Sequence, residues 1–144
     1  MSEIGDRGKW AEGEVHKKLK LISNQVAEFD FERPPDARAA RGALKAQVGD
    51  FVWYLPGGHG VVEVKESKHD FRVAKDKLAQ LPKLRKRALA GGNIKVIVYH
   101  SALNKWRVAP LFFFDGPIPP SWDLSSLPLI DSISDIVTLE VLCG

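Results

Sequence analysis

The apolar residues near the N-terminus recur at helical spacing. From Gly8 to Val26 the large apolar side chains follow one another at intervals of three to five positions, namely Trp10, Val15, Leu19, Ile22 and Val26. A stripe of this kind is typical of an amphipathic helix that packs one face against a core. We therefore predict that the chain opens with a helix.

The next pattern is a pair of apolar, β-rich runs. GDFVWYL (49–55) and GVVEVK (60–65) flank the turn sequence Pro-Gly-Gly-His at 56–59, which predicts two antiparallel strands in a hairpin. Before them we expect a short strand over 28–32. It is followed by a proline-broken, arginine-rich connector to which we assign no form.

Downstream, a second helical pattern runs from Arg72 to Leu89 and ends at Gly91 and Gly92, as a helix C-cap does. Because an interior proline costs ~3 kcal/mol, Pro82 either kinks this helix or opens a second segment in its first turn. IKVIVYH (94–100) and KWRVAPL (105–111) predict two further strands. The predicted fold class is α/β, with an opening helix before a mixed sheet of β-β-α-β-β order.

Composition limits the possibilities further. With 144 residues, 44% of them hydrophobic, the chain has the length of one globular domain, with a core at about 6–111 and a tail, 112–144, of unassigned role. Within that tail, IVTLEVL (136–142) predicts either a last strand or a short helix. The single cysteine, Cys143, excludes a disulfide framework and a cysteine-based zinc cluster, and suits the cytoplasm. No apolar run approaches the ~18 residues of a membrane helix, so we expect no membrane partner.

Charge is distributed unevenly. Between Lys65 and Arg87 nine Lys or Arg oppose three acidic residues, a net charge of +6, whereas five acidic residues and no Lys or Arg follow Arg107. Such a basic block is either a solvated helix face or a surface that meets a polyanion.

The stretch VVEVKESK (61–68) carries candidate chemistry. Successive side chains of a strand point to opposite faces, so Glu63 and Lys65 share one face while the neighbouring valines share the other. Cross-strand charge pairing is one sufficient explanation of such a triplet. A second explanation involves Asp50, which lies at the start of the paired strand and can reach Glu63 through the hairpin. Two adjacent carboxylates repel unless a cation lies between them.

A carboxylate pair of this kind suits phosphodiester hydrolysis. Mg²⁺, or Mn²⁺ in its place, takes hard oxygen ligands and keeps several waters, one of which the metal can activate. We expect Asp50 and Glu63 to be ligands, with the backbone carbonyl of Val64 as a third, and Lys65 to orient or deprotonate the attacking water. The +6 segment would then bind phosphates of branched or duplex DNA through Lys68, Arg72, Lys75, Lys83, Arg85, Lys86 and Arg87.

These residues, in this order, resemble the PD-(D/E)XK nuclease superfamily, with Gly-Asp at 49–50 in place of the commoner Pro-Asp. DRGKWAE (6–12) resembles the N-R-G-x-x-x-E helix start of RecU-type Holliday-junction resolvases and is similar to the K-G-x-x-x-E start of archaeal resolvases. EVKESK (63–68) is similar to the RecU-type E-A-K-E-T-K, and ALAGGNIKVIVYH (88–100) resembles the Q-G-G-I and apolar strand that follow it. The matches span roughly residues 6–110.

The resemblance implies a restriction-endonuclease-like PD-(D/E)XK core and a metal-dependent, structure-specific DNA endonuclease, a Holliday-junction resolvase that acts as a homodimer. It implies Asp50 and Glu63 as metal ligands, Lys65 as the catalytic lysine, Glu12 as an additional acid of the metal shell, and Gln80 as a polar group lining the site. An arginine before the first catalytic acid also belongs to the RecU type. Arg38 and Arg41 are both candidates for it.

Alternatives remain at three points. The literal Pro35-Asp36 competes with Asp50, although it lies 27 positions before Glu63 in a proline loop, and Glu14 competes with Glu12 for the helix position.

The chain is shorter than RecU-type proteins between residues 36 and 47. Another small nuclease of the superfamily, of the flap- or junction-cutting VRR type or restriction-like, is therefore the alternative function. A noncatalytic DNA-binding module on the same scaffold is a third possibility.

Overall fold

The computed structural model describes residues 3–34 and 49–144, with side chains from Gly8 onward. The connector predicted without a form, Pro35-Asp36, Arg38 and Arg41 all lie outside the described residues. The helices and strands, in chain order, are α1 (Glu3–Gln25), β1 (Asp30–Glu32), β2 (Phe51–Leu55), β3 (Gly58–Ser67), β4 (Arg72–Ala74), α2 (Leu81–Leu89), β5 (Asn93–His100), β6 (Lys105–Pro110), β7 (Ser121–Asp123) and α3 (Leu139–Cys143).

Five of the strands form one mixed sheet in the order β1-β2-β3-β5-β6. Strands β3 and β5 are parallel, and the other neighbouring pairs are antiparallel. The parallel pair needs a crossover connection, which the segment containing α2 provides. The predicted α/β class, with its opening helix and mixed sheet, is therefore confirmed, and β1 adds an edge strand beside the hairpin.

The two faces of the sheet are covered by different helices. On one face α1 buries Ala11, Val15 and Leu19 completely, in the same apolar cluster as Val62 and Val64 of β3. On the other face the cluster contains the apolar side of α2 with residues of β3, β5 and the tail. Since β3 contributes to both clusters, its backbone lies in the middle layer. Although α1 has 23 residues, none of the described helices combines the length and apolar character needed to cross a membrane.

The predicted helix over Arg72–Leu89 is wrong in its first half. Arg72–Ala74 forms β4, which pairs antiparallel with β7, and Lys75–Leu78 forms a 3-10 helix. Helix α2 begins only at Leu81, with Pro82 in its first turn, where the missing N–H removes no intrahelical hydrogen bond. The alternative in which Pro82 opens a second segment is the one that the structure contains.

The tail, whose role the sequence left open, completes both apolar clusters. Leu124 and Phe114 are fully buried on the α2 face, and Ile136 and Leu142 on the α1 face. Of the two forms predicted for residues 136–142, the short helix is present, as α3. Its first turn is capped by Thr138, whose hydroxyl accepts a hydrogen bond from the N–H of Val141 at 3.2 Å.

Candidate active site

Asp50 is held just before β2 by one backbone and one side-chain hydrogen bond to the backbone of β3. Its N–H donates to the carbonyl of Val62 at 3.0 Å, and its Oδ2 accepts the N–H of Val64 at 2.7 Å. The preceding Gly49 has a φ of +86°, and a Cβ there would overlap the side chain of Val61. Proline is restricted to φ near −65°, so the commoner Pro-Asp pair does not fit this backbone, whereas glycine does.

Glu63 and Lys65 share the face of β3 opposite α1. Glu63 is 4% exposed, and its Oε1 lies 3.3 Å from Nζ of Lys65, which is partly exposed. The other oxygen, Oε2, is buried and has no hydrogen-bond partner among residues 8–34 and 49–144. A buried carboxylate oxygen without a donor is costly, which makes it a ready ligand for a cation.

Asp50 and Glu63 interact strongly. Burial raises the pKa of Asp50 from 3.8 to about 7, and the negative charge of Glu63 contributes to the rise. A cation between the two carboxylates would remove the repulsion and favour the ionised form. Two converging carboxylates, one with a free oxygen, are the donor set that Mg²⁺ and Mn²⁺ prefer. The residues present therefore fit the metal that the resemblance implies.

Glu12 lies near this pair but has its own partner. Its Oε1 accepts a hydrogen bond from Arg33 at 2.7 Å. Burial raises the pKa of Glu12, and the charge of Asp50 raises it further, so the two carboxylates are electrostatically coupled. Within the described part of the chain, no group of three or more His, Cys, Asp or Glu side chains is arranged to hold a metal. The place of Glu12 in the metal shell therefore stays a prediction.

Arg33 was missed by the sequence reasoning, which sought an arginine at positions 38 or 41. Both of those residues fall outside the described part of the chain, whereas Arg33 follows β1 and contacts Glu12 directly. Its guanidinium also lies 5.7 Å from the ring centroid of Phe51. The competing acid Glu14 pairs instead with Lys17 on the exposed side of α1, at 2.9 Å. A signal for Arg33 existed in the order of the chain, since it comes directly after a strand that pairs with β2.

Gln80 lies beside the candidate site. Its Oε1 accepts a hydrogen bond from the N–H of Gly49 at 3.3 Å, next to Asp50, and the residue itself precedes the first turn of α2. The structure thus brings Gln80 together with the carboxylate pair. Val64, the expected backbone ligand, is bound to Asp50 through its N–H.

The basic residues predicted to contact DNA separate into two kinds. Arg85 donates to the backbone carbonyls of Phe114 at 2.6 Å and Gly116 at 2.9 Å, so its guanidinium is committed to the tail. The remaining six are exposed on two segments, one that follows β3 and one on the solvent side of α2, namely Lys68, Arg72, Lys75, Lys83, Lys86 and Arg87.

Comparison of the sequence with protein-family models gives no match, and comparison with curated proteins gives none either. Among solved structures, the chain is similar to Hjc of Archaeoglobus fulgidus, a Holliday junction resolvase from an archaeal hyperthermophile. The two are 19% identical with a TM-score of 0.49, over 84% of this chain and 95% of that one. A likeness at this level assigns neither a family nor an activity to this protein.

Proposed function

We propose that this protein is a metal-dependent DNA endonuclease that cuts branched DNA, with Holliday junctions as its substrate. The observation that carries the proposal is the buried pair of Asp50 and Glu63, in which Oε2 of Glu63 has no hydrogen-bond partner in the described part of the chain. Burial and the charge of Glu63 raise the pKa of Asp50 to about 7. The Nζ of Lys65 lies 3.3 Å from Oε1 of Glu63. Structural ion pairs are normally neutralised, so two buried acids that share a single lysine favour a functional site.

Asp50 and Glu63 would hold Mg²⁺ or Mn²⁺, with the carbonyl of Val64. When bound, the metal would neutralise charge on the reacting phosphate and lower the pKa of water. Lys65 has three N–H donors, which suit it to orienting the attacking water or a phosphate oxygen. The water oxygen would form a bond to phosphorus as the bond to the leaving sugar oxygen breaks. The water would give up one proton and the leaving oxygen would take one up, which leaves one phosphate end and one hydroxyl end.

The other predicted residues have supporting roles in this proposal. Glu12, held by Arg33, would be an additional acid of the metal shell, and Gln80 would fix the backbone at Gly49 and thereby the position of Asp50. Two symmetric nicks across a four-way junction require two active sites, so we propose a homodimer working in the cytoplasm. Exposed lysines and arginines after β3 and on α2 would bind the DNA phosphates.

Nicking of a labelled four-way junction tests the proposal. Wild type, Asp50→Asn, Lys65→Ala and the exposed control Asp115→Asn are incubated with the junction, a flap or linear duplex, in Mg²⁺ or EDTA. We expect paired symmetric nicks by wild type and the control, lost in EDTA and in both site variants, which still bind the junction.

The remaining outcomes discriminate among the alternatives. Metal-dependent cutting without junction preference would keep the nuclease and remove the junction substrate. Binding without any cutting would favour a noncatalytic DNA-binding module. Full activity of Asp50→Asn or Lys65→Ala would refute the assignment of the site.

A further inference from the structure

The segment 68–72, which we call the basic loop, runs from the residue after β3 to Arg72, the first residue of β4. Its exposed side chains include Lys68 and Arg72. The guanidinium of Arg72 lies 5.0 Å from the ring centroid of Phe71 and donates to Oγ of Ser121 at 3.2 Å. Because the loop begins three residues after Lys65, a DNA strand at the candidate active site would pass close to it.

Buried side chains form hydrogen bonds to the backbone of the basic loop. Ser67 donates through Oγ to the carbonyl of Arg72 at 2.6 Å and accepts the N–H of His69 at 3.2 Å. His100, on β5, has no exposed surface, and its Nδ1 lies 2.7 Å from the carbonyl of His69. Arg107, on β6 and 5% exposed, donates to the carbonyl of Asp70 at 2.7 Å.

His100 and Arg107 also contact each other, and this contact determines which nitrogen of the imidazole carries the proton. Nη1 of Arg107 lies 3.1 Å from Nε2 of His100. Arginine has no acceptor, so Nε2 accepts and Nδ1 carries the proton that is donated to His69. Burial lowers the pKa of His100, and the charge of Arg107 lowers it further, in agreement with a neutral ring. The pair therefore connects the interior strand β5 and the edge strand β6 to the loop.

Arg107 is a buried cation with no ion pair to a carboxylate in the part of the chain that the structure describes. Its partners are the carbonyls of Asp70 and Leu127 and the ring of His100. Burial of an arginine without a carboxylate is costly, and a methionine would fill a similar space with no charge to solvate. What the guanidinium provides is directional hydrogen bonding to two separate backbone segments, one of which is the basic loop.

We propose that His100 and Arg107 are positioning residues that hold the basic loop so that Lys68 and Arg72 bind DNA phosphates beside the strand to be cut. The inference rests on the proposed function, because the ligand is the DNA backbone. A loop fixed in advance loses less conformational entropy when it binds, so its phosphate contacts gain affinity without any direct contact from His100 or Arg107.

The test is a double-mutant cycle on DNA affinity. Arg107→Met is combined with the pair Lys68→Ala and Arg72→Ala, and the Kd for a fluorescein-labelled junction is measured by anisotropy in EDTA over a series of KCl concentrations. We expect Arg107→Met to weaken binding about tenfold and to reduce the salt slope by up to about 2, as for loss of two phosphate contacts. In the background lacking Lys68 and Arg72 the same change should leave the Kd unaltered.

The matched control is Lys105→Met, which removes a positive charge from the same strand and breaks a 2.6 Å pair with Asp131 of the tail rather than a contact with the loop. Two variants of His100 separate the effect of its hydrogen bonds from the effect of its packing. His100→Gln keeps one donor and one acceptor and should retain affinity, whereas His100→Phe should not. If Arg107→Met does not fold, Ser67→Ala, which removes one hydroxyl, takes its place in the cycle.

Each outcome decides the inference. An equal loss of affinity in both backgrounds, or a loss no larger than that of Lys105→Met, would show a purely structural role and overturn it. Wild-type protein that shows no salt-dependent DNA binding would overturn the proposed function and the inference with it. Normal binding by wild type with unchanged binding by Arg107→Met would overturn the inference alone.

Discussion

Asp50→Asn should stabilise the protein while abolishing its activity. In the absence of metal the fold confines the Asp50 carboxyl beside Glu63, and burial with that neighbouring charge raises the pKa of Asp50 from 3.8 to about 7. Above pH 7 the folded protein must therefore carry a charge that the unfolded chain carries more easily. Asparagine has nearly the same shape, carries no charge, and can still accept the hydrogen bond from Val64.

The magnitude follows from linkage. Between pH 3.8 and about 7 the folded state binds the proton that the unfolded state has released, so stability falls as pH rises, by about 1.4 kcal/mol per pH unit, and is then constant. Over the whole interval from pH 3.8 to about 7, the unfolding free energy would fall by about 4 kcal/mol. Solvent that reaches the exposed part of Asp50 reduces this loss to about 2–4 kcal/mol. At about 4 °C per kcal/mol for a domain of this size, Asp50→Asn should raise the Tm by about 8–16 °C at pH 8.

The assay is thermal and urea unfolding in EDTA at pH 4, 6 and 8, with Asp115→Asn as an exposed control. The difference between Asp50→Asn and wild type should be close to zero at pH 4 and largest at pH 8. Mg²⁺ at pH 8 should then stabilise wild type but not the variant, since only wild type retains both carboxylates. An Asp50→Asn protein no more stable than wild type at pH 8, or a difference independent of pH, would refute the reasoning.

Three further predictions concern the surroundings of the site. Gly49→Ala should cost about 2–3 kcal/mol in urea unfolding, because its φ of +86° and the side chain of Val61 leave no room for a Cβ; a neutral result would contradict the backbone geometry. Arg33→Met should change the unfolding free energy by under about 1 kcal/mol, because the pair with Glu12 is partly exposed, and should raise the pKa of Glu12 observed by NMR; an unchanged pKa would argue against the pair. In an Asp50→Asn background, which removes the opposite contribution of Asp50, stability should fall as pH drops below 6.5, since His100 stays neutral in the fold while the unfolded histidine is protonated, and His100→Gln should lessen that loss; an identical pH profile with and without His100→Gln would contradict it.

The elements with a local signal were predictable from the sequence. Helix α1, the β2–β3 hairpin and strands β5 and β6 each follow from periodicity and turn residues that lie within the element itself. The hairpin also allowed a tertiary prediction, because its turn determines the register. Leu55 faces Gly58, and continuing that pairing along the strands places Asp50 opposite Glu63.

The errors occurred where the decisive contact is distant in sequence. Arg72–Ala74 is a strand because β7, about 50 residues later, pairs with it, and no periodicity within residues 72–89 contains that information. The pair between Arg33 and Glu12 spans 21 positions and depends on the way β1 lies against α1. Side-chain pairing between elements follows from packing, which a single sequence does not specify.

His100 and Arg107 illustrate a signal that is present in the sequence but does not identify the partners of these residues. Both stand in strands otherwise rich in apolar residues, and a polar residue in such a run must either face solvent or find partners inside. Residue spacing alone does not reveal a buried histidine that accepts a hydrogen bond from an arginine, so the sequence pattern does not identify this pair. The carboxylate pair differs in this respect, because Asp50 and Glu63 are acids brought together by one hairpin, whereas His100 and Arg107 hold a loop that neither of their strands contains. Polar residues inside apolar strands therefore mark both the candidate site and the contacts that hold the basic loop, and the chemistry of their partners separates the two roles.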